Sequence, residues 1–242
     1  MAKNQRKRNV NVYNLLIIDE SGSMHAIYEQ ALSGINETIS SIRAAQNKFP
    51  EQNHFVSVVS FEGHGPQGVK TRRDRVPISK MNYLSRKEYV PGGCTPLYDA
   101  IGLSVHHLQQ YVEKDDIVFV TIITDGLENA SQEFSRVTIR EVISRQREKG
   151  WTFAYIGANQ DSVEVAREIN IKNAMNYEAT PEGTDRMIGK LVDSMHLCYC
   201  VIGDKKKSAK DMSDLFIKVD KDGNTEIGGS LAENLGKEIL KK

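Results

Sequence analysis

Continuous apolar runs alternate along the chain with stretches in which apolar residues recur every three or four positions. Four runs have the length and composition of β-strands, at residues 13–18, 55–61, 117–124 and 152–156. The first and third are apolar over most of their length, which is typical of central strands covered by helices on both faces. Because strands and helical stretches alternate, the pattern predicts β-α-β units and a mostly parallel sheet.

Helical spacing of apolar residues predicts the connecting helices. Five are expected, at about residues 27–49, 97–111, 137–143, 161–169 and 180–195. Asp161 is a suitable N-cap for the fourth helix, and Thr180 followed by Pro181 suits the start of the fifth.

Some segments fit this alternation less well. Residues 69–78 alternate poorly and carry TRRDR in their middle, which is typical of an exposed edge hairpin. The apolar stretch around residues 198–200 predicts a buried strand, and residues 215–219 and 225–227 flank an acidic turn that indicates a β-hairpin. We therefore expect three parts: a flexible basic arm at 1–12, a main domain at 13–196, and a C-terminal extension at 197–242 with the hairpin and a terminal helix.

Composition limits the classes of partner. The chain has 242 residues, of which 32 are basic and 32 acidic. The resulting zero net charge gives no long-range attraction to nucleic acid or anionic lipid, so we expect neither as a partner. The basic start lacks the apolar stretch of a secretory signal, and no apolar run is long enough to span a bilayer. Three cysteines cannot all pair within one chain, so we expect a reducing, cytoplasmic setting rather than a disulfide scaffold.

Polar clusters follow two of the predicted strands and precede one helix. They are DESGS at 19–23, GCTP at 93–96 and DG at 125–126. In an open parallel sheet such loops gather at one edge, where ligands bind. Two aspartates with several hydroxyls would form an all-oxygen site, which suits Mg²⁺, whereas zinc and copper prefer histidine or cysteine.

The charges of this cluster indicate what it would do with a metal. Asp19 and Asp125 supply two negative charges, and Ser21, Ser23 and Thr95 are neutral. A divalent ion is then at most neutralised, and Mg²⁺ needs six oxygens in near-octahedral geometry. A carboxylate from a partner would fill an open position. The pattern therefore favours a binding site.

The same residues carry a family resemblance. Asp19-x-Ser21-x-Ser23, Thr95 and Asp125 together resemble the metal-ion-dependent adhesion site (MIDAS) of von Willebrand factor A (VWA) domains. The resemblance implies a Rossmann-like, three-layer αβα sandwich with one antiparallel edge strand. It also implies that the hydroxyls contact Mg²⁺, with Mn²⁺ or Ca²⁺ as alternatives, and that the aspartates do so directly or through water. An Asp or Glu of a partner protein would complete the coordination.

The resemblance covers about residues 13–195, through the segments IIDESGSM, GGCTPLYDAI and VTIITDG. The chain is more similar to small, stand-alone intracellular bacterial members than to long extracellular adhesion proteins. Cys94 departs from the usual pattern, which has a small residue before the threonine. We expect Cys94 to be a packed small side chain and not a ligand, because a thiolate suits Mg²⁺ poorly.

Three further carboxylates lie near the predicted site. Glu20 and Glu128 either tune its charge or are solvated loop residues. Asp99, one turn past Thr95, either supports the site or is simply favourable near a helix start.

A Mg²⁺-dependent phosphoryl-transfer enzyme of the phosphatase type is the alternative, because a strand-end aspartate with Mg²⁺ also serves that chemistry. Such enzymes need a second acid two residues later as proton donor, and Ser21 occupies that position. The sequence also has no phosphate-binding P-loop. We therefore expect a binding module and no enzyme; the sequence leaves the oligomeric state open.

Overall fold

A single mixed sheet forms the centre of the molecule in the computed structural model, which describes residues 9–158, 162–202, 217–219 and 225–227. Among these residues the sheet has six strands in the order β3-β2-β1-β4-β5-β6. The strands are β1 Val10–Asp19, β2 Gln52–Phe61, β3 Val69–Pro77, β4 Ile117–Thr124, β5 Thr152–Ala158 and β6 Asn173–Tyr177. Only the β2–β3 pair of this sheet is antiparallel, which confirms a mostly parallel sheet with one antiparallel edge strand.

Helices cover both faces of this sheet. They are α1 Tyr28–Lys48, α2 Leu97–Leu108, α3 Arg136–Glu148, α4 Ser162–Glu168 and α5 Pro181–Ile202. Helices α1 and α5 share one hydrophobic core with the sheet, while α2 and α3 share the other. The predicted three-layer αβα sandwich is therefore confirmed. No helix in the described part of the chain combines the length and the apolar character needed to cross a membrane.

The alternation of side chains along β1 explains why this strand is central. Leu16 and Ile18 enter the core under α1 and α5, and Leu15 and Ile17 enter the core on the opposite face. All four are at most 1% exposed. Burying an aliphatic side chain of this size contributes about 1.5–3 kcal/mol, so both faces of β1 favour the middle of the sheet.

The structure changes several predicted boundaries. Strand β1 begins at Val10, so residues 10–12 belong to the sheet and not to the predicted arm, whose first eight residues lie outside the described ones. The predicted hairpin at 69–78 is instead one edge strand, Val69–Pro77. Strand β6 was not predicted, because five residues of sequence NAMNY carry too weak an apolar signal.

The largest correction concerns residues 198–200, which lie in helix α5 and not in a buried strand. Leu191, Met195 and Cys198 are all 0% exposed and continue the helical spacing of α5. A short apolar run alone does not distinguish a buried helix from a strand. Helix α5 consequently crosses the predicted boundary at 196. Its start agrees with the prediction, since the Gly183 N–H donates to Thr180 Oγ1 at 3.0 Å.

The predicted hairpin agrees with the structure in its strands. Strands β7 Ile217–Val219 and β8 Thr225–Ile227 pair in antiparallel fashion. The turn between them, the predicted terminal helix and the predicted cap Asp161 lie outside the described residues.

Buried hydrogen bonds and a ring contact hold the last turns of α5 against the sheet. The Tyr199 hydroxyl donates to Asn14 Oδ1 at 2.6 Å, and Gln52 Nε2 donates to the Tyr199 carbonyl at 2.8 Å. The His54 ring meets Tyr199 edge-on at 4.7 Å between centroids. His54 is 1% exposed, and this burial lowers the pKa of its imidazole from 6.5 to about 4.

This histidine predicts a pH dependence of stability. An unfolded His54 takes up a proton near pH 6.5 and the folded one only near pH 4, so stability is lost as the pH falls through that window. Between pH 7 and pH 5, wild type is expected to lose about 2 kcal/mol more unfolding free energy than His54→Gln. Urea unfolding of both proteins at the two pH values measures the difference. Identical pH dependence in the two proteins would contradict the prediction.

Candidate metal site

Parallel pairing of β1 with β4 places the two predicted aspartates side by side. Asp19 is the last residue of β1, and Asp125 follows the last residue of β4. The register that pairs Ile18 with Ile123 sets both carboxyl ends at one edge of the sheet. The loop at 92–95 reaches the same edge, because the Gly22 N–H donates to the Gly93 carbonyl at 3.1 Å. The three polar clusters of the sequence therefore meet in space.

Five oxygen-bearing side chains converge at this edge, and we call them the oxygen cluster: Asp19, Ser21, Ser23, Thr95 and Asp125. The Oγ atoms of Ser21 and Ser23 lie 3.1 Å apart, and Ser23 Oγ donates to Asp125 Oδ1 at 2.6 Å. A Cβ atom placed on Gly126 would lie 3.1 Å from Thr95 Oγ1 and 3.6 Å from Asp19 Oδ2. The structure thus brings together all five residues predicted from the sequence.

Asp19 is the most enclosed member of the cluster. Its side chain is 0% exposed and accepts hydrogen bonds from the Ser21 N–H at 2.7 Å and from Thr124 Oγ1 at 2.5 Å. Burial raises the pKa of the Asp19 carboxyl to about 6, although both hydrogen bonds act in the other direction. Burial also raises the pKa of the Asp125 carboxyl. Burial disfavours the charged forms of both carboxylates, and a cation bound between them would stabilise those forms.

The donor set and its spacing fit Mg²⁺. Metal–oxygen bonds of about 2.0–2.1 Å at right angles place adjacent ligand oxygens about 2.9 Å apart. The Ser21 and Ser23 hydroxyls, at 3.1 Å, are close to that separation. Within the described residues, no group of three or more His, Cys, Asp or Glu side chains could hold a metal. The arrangement is therefore suited to a hard cation held by two carboxylates and several hydroxyls.

Cys94 differs from the expectation of a packed small side chain. It is only partly buried, and its sulfur lies 3.7 Å from Nε2 of His64. The reason is its position on the loop that carries Thr95 across the sheet edge, outside both hydrophobic cores.

Glu20 is not a solvated loop residue. It is 1% exposed, and both carboxylate oxygens accept from Arg72 Nη2, at 2.7 and 3.0 Å. Strand β3 therefore contacts the loop that begins the oxygen cluster.

Asp99 and Glu128 hold the loop that follows Asp125. Asp99 is 0% exposed and accepts three backbone N–H groups, from Gln132 at 2.8 Å, Glu133 at 2.9 Å and Phe134 at 2.8 Å. Glu128 is partly buried and accepts from the Tyr98 N–H at 2.9 Å. It also accepts from the backbone N–H groups of residues 130 and 131, at 2.9 and 2.7 Å. Both carboxylates therefore hold the backbone around the oxygen cluster in place through hydrogen bonds.

Two supporting residues were missed in the sequence. Asn129 Oδ1 accepts from the Thr95 N–H at 2.8 Å, and its own N–H donates to the Thr95 carbonyl at 3.2 Å. The buried Tyr89 hydroxyl donates to the Asp19 carbonyl at 2.8 Å. The polar sequence ENAS after Gly126 could have drawn attention to Asn129. No local signal links Tyr89 to Asp19, which is 70 positions away.

The chain matches no family model and no curated protein in sequence. Solved structures do match it. The vWF domain of the type V pili tip protein Mfa5 from Porphyromonas gingivalis gives a TM-score of 0.58 at 9% identity, over 78% of this chain and 96% of that one. A von Willebrand factor type A protein from Catenulispora acidiphila gives 0.51 at 12% identity, over 77% and 43%.

The chain has a von Willebrand factor A-like fold. The pilus adhesin SpaC from Lactobacillus rhamnosus GG matches as well, with a TM-score of 0.58 at 10% identity. That match covers 79% of this chain but only 30% of the adhesin, so this chain corresponds to about a third of it. At such identities the similarity concerns the VWA-like fold alone.

Proposed function

We propose that this chain is a protein-binding module that holds Mg²⁺ in the oxygen cluster and binds a carboxylate of a partner protein through it. The observation that carries the proposal is the convergence of two aspartates and three hydroxyls at the carboxyl edge of a VWA-like sheet. The similarity to the pilus adhesin SpaC and the pili tip protein Mfa5 supports a role in protein interaction.

The charges of the cluster support a carboxylate as the incoming ligand. With both aspartates ionised, the two negative charges just balance one Mg²⁺, and the hydroxyls add none. Contact of one aspartate through water would leave the ion partly positive. Bound Mg²⁺ would then supply an electrophilic position, and the Asp or Glu of a partner would occupy it.

Apolar side chains beside the cluster suit a protein partner. Val90 and Leu127 are 58% and 59% exposed, and each lies on a loop that supports the cluster. Large apolar side chains left in water are favourable places for a partner to bury surface. The proposed partner therefore presents an acidic residue with apolar neighbours.

The phosphatase-type alternative is less well supported by this geometry. Ser21 stands where such an enzyme needs its second acid, and its Oγ faces that of Ser23. Both carboxylates of the oxygen cluster are assigned to the metal, which leaves no carboxyl within the cluster to protonate a leaving group. We therefore propose a non-enzymatic role.

A cytoplasmic location is part of the proposal. Cys94 and Cys200 are free thiols, which suits a reducing compartment. The pilus proteins with the same fold suggest an extracellular location as the competing possibility.

Thermal unfolding with EDTA, Mg²⁺, Mn²⁺ or Ca²⁺ tests the metal. Binding to the folded state alone is expected to stabilise wild type by roughly 2.7 kcal/mol at a hundred times Kd. Ser21→Ala should lose this stabilisation, because it removes a ligand oxygen from the cluster. Ser33→Ala, at an exposed position of α1, is the matched control and should respond like wild type.

The proposed metal binding is contradicted if none of these ions raises the melting temperature of wild type. It is also contradicted if they raise that of Ser21→Ala as much as that of wild type. The partner arm uses capture in Mg²⁺ and in EDTA, followed by replacement of acidic residues in the captured protein. Capture that persists in EDTA would exclude a metal bridge.

A further inference from the structure

A partly buried ion pair lies directly beside the oxygen cluster. Glu20 separates Asp19 from Ser21 in sequence and pairs with Arg72 of the antiparallel edge strand β3. The Glu20 side chain is 1% exposed and that of Arg72 is 22% exposed. Such a pair is weak evidence for stability, because desolvation of the buried carboxylate offsets much of the attraction. Its contacts indicate a different role.

Glu20 joins three segments through both its backbone and its side chain. Its N–H donates to the Phe61 carbonyl at the end of β2, at 2.9 Å. Its carbonyl accepts from the Gly92 N–H at 2.8 Å, and its Oε1 accepts from the Val90 N–H at 2.6 Å. The last two bonds hold the segment that leads to Thr95 against the segment that carries Ser21. The relative position of these two cluster residues therefore depends on Glu20.

Arg72 fixes the orientation of this carboxylate. Its Nη2 contacts both oxygens of Glu20, while its Nε donates to Ser60 Oγ at 2.9 Å. A planar guanidinium makes bonds in two directions at fixed angles, which the single ammonium group of lysine does not. The guanidinium is thus held by β2 on one side and holds Glu20 on the other.

Arg72 also neutralises the charge of Glu20, so that the oxygen cluster keeps only the two negative charges of its aspartates. Without a cation beside it, Glu20 would add a third negative charge next to Asp19. The proposed mechanism needs the ion to remain attractive to an incoming carboxylate. Neutralising Glu20 preserves that property.

We propose that Arg72 and Glu20 are a positioning pair, which holds Ser21 and the loop at 90–95 in the arrangement that binds Mg²⁺ before the ion arrives. This inference rests on the proposed metal-binding function. The pair acts through the ligands and does not contact the ion.

The double variant Glu20→Gln with Arg72→Met tests the positioning role. It leaves the net charge unchanged and leaves no unpaired buried charge, so a change in affinity reports geometry. The matched control is Glu88→Gln with Arg73→Met, which removes the 2.7 Å ion pair between the next residue of β3 and Glu88 in a loop. Mg²⁺ titration by calorimetry is expected to give a Kd about 10–100-fold weaker in the first variant. The control should stay within about twofold of wild type, since its pair makes no contact with Glu20.

Hydrogen exchange in EDTA supplies a readout that needs no metal. The Gly92 amide, which donates to the Glu20 carbonyl, should exchange faster in the double variant than in wild type or the control. Arg72→Lys keeps the charge and should give intermediate values, and it replaces the double variant if circular dichroism shows that the latter is unfolded.

Equal Mg²⁺ affinity and equal Gly92 exchange in wild type and variant would overturn the positioning role and leave the proposed function intact. Absence of Mg²⁺ binding in wild type itself would overturn the proposed function, and this inference with it.

Discussion

Asp19→Asn is expected to make the protein more stable than wild type in EDTA at pH 8, and also insensitive to Mg²⁺. The carboxyl of Asp19 is fully enclosed, and burial raises its pKa from 3.8 to about 6. Its charge therefore costs up to about 3 kcal/mol of unfolding free energy when no cation is bound. Asparagine carries no charge but still accepts from the Ser21 N–H.

The stability advantage of Asp19→Asn over wild type disappears as the pH falls. A group whose folded pKa is raised stabilises the fold at low pH and loses that contribution as the pH rises from 3.8 through about 6. The advantage of Asp19→Asn should therefore be complete at pH 8 and absent near pH 4. Urea unfolding at the two pH values measures it, with the exposed Asp115→Asn as control. A variant that is less stable than wild type at pH 8, or that Mg²⁺ still stabilises, would contradict the expectation.

Asp99→Ala is expected to destabilise the protein by at least about 3 kcal/mol, since hydrogen bonds to a charged group contribute about 1.5–3 kcal/mol each. The backbone N–H groups of residues 132, 133 and 134 would all lose their hydrogen-bond acceptor. For a chain of this size, 3 kcal/mol lowers the melting temperature by roughly 6–12 °C.

Calorimetry or circular dichroism of Asp99→Ala beside Glu133→Ala checks this value. Glu133 is exposed in the same loop, so its loss should change the melting temperature little. Equal melting temperatures for the two variants would show that the backbone of this loop finds other partners.

The central strands and the oxygen cluster could be predicted because their signals are local. Strand β1 and the DESGS segment are adjacent in sequence, and so are β4 and Asp125. The topology of parallel strands then brings both strand ends to one edge without further information. The all-oxygen composition followed directly from the residue types at those ends.

The supporting contacts could not be predicted because they join residues far apart in the chain. Arg72 is 52 positions from Glu20, and Tyr89 is 70 positions from Asp19. Nothing in the sequence around Glu20 distinguishes a buried carboxylate from a solvated one. The course of α5 was missed for a related reason, since only packing against the sheet shows that residues 198–200 continue a helix.

The place of β1 and β4 within the sheet has a consequence for how the candidate site is lost on heating. Each of these strands is flanked by a neighbour on both sides, so neither forms an edge that frays early. Segments of this kind open only when the whole molecule opens. Asp19, the last residue of β1, and Asp125, which follows β4, are thus anchored to the part of the protein that unfolds last. A cation bound there would resist heat as long as the sheet itself does, with no separate melting of the site beforehand.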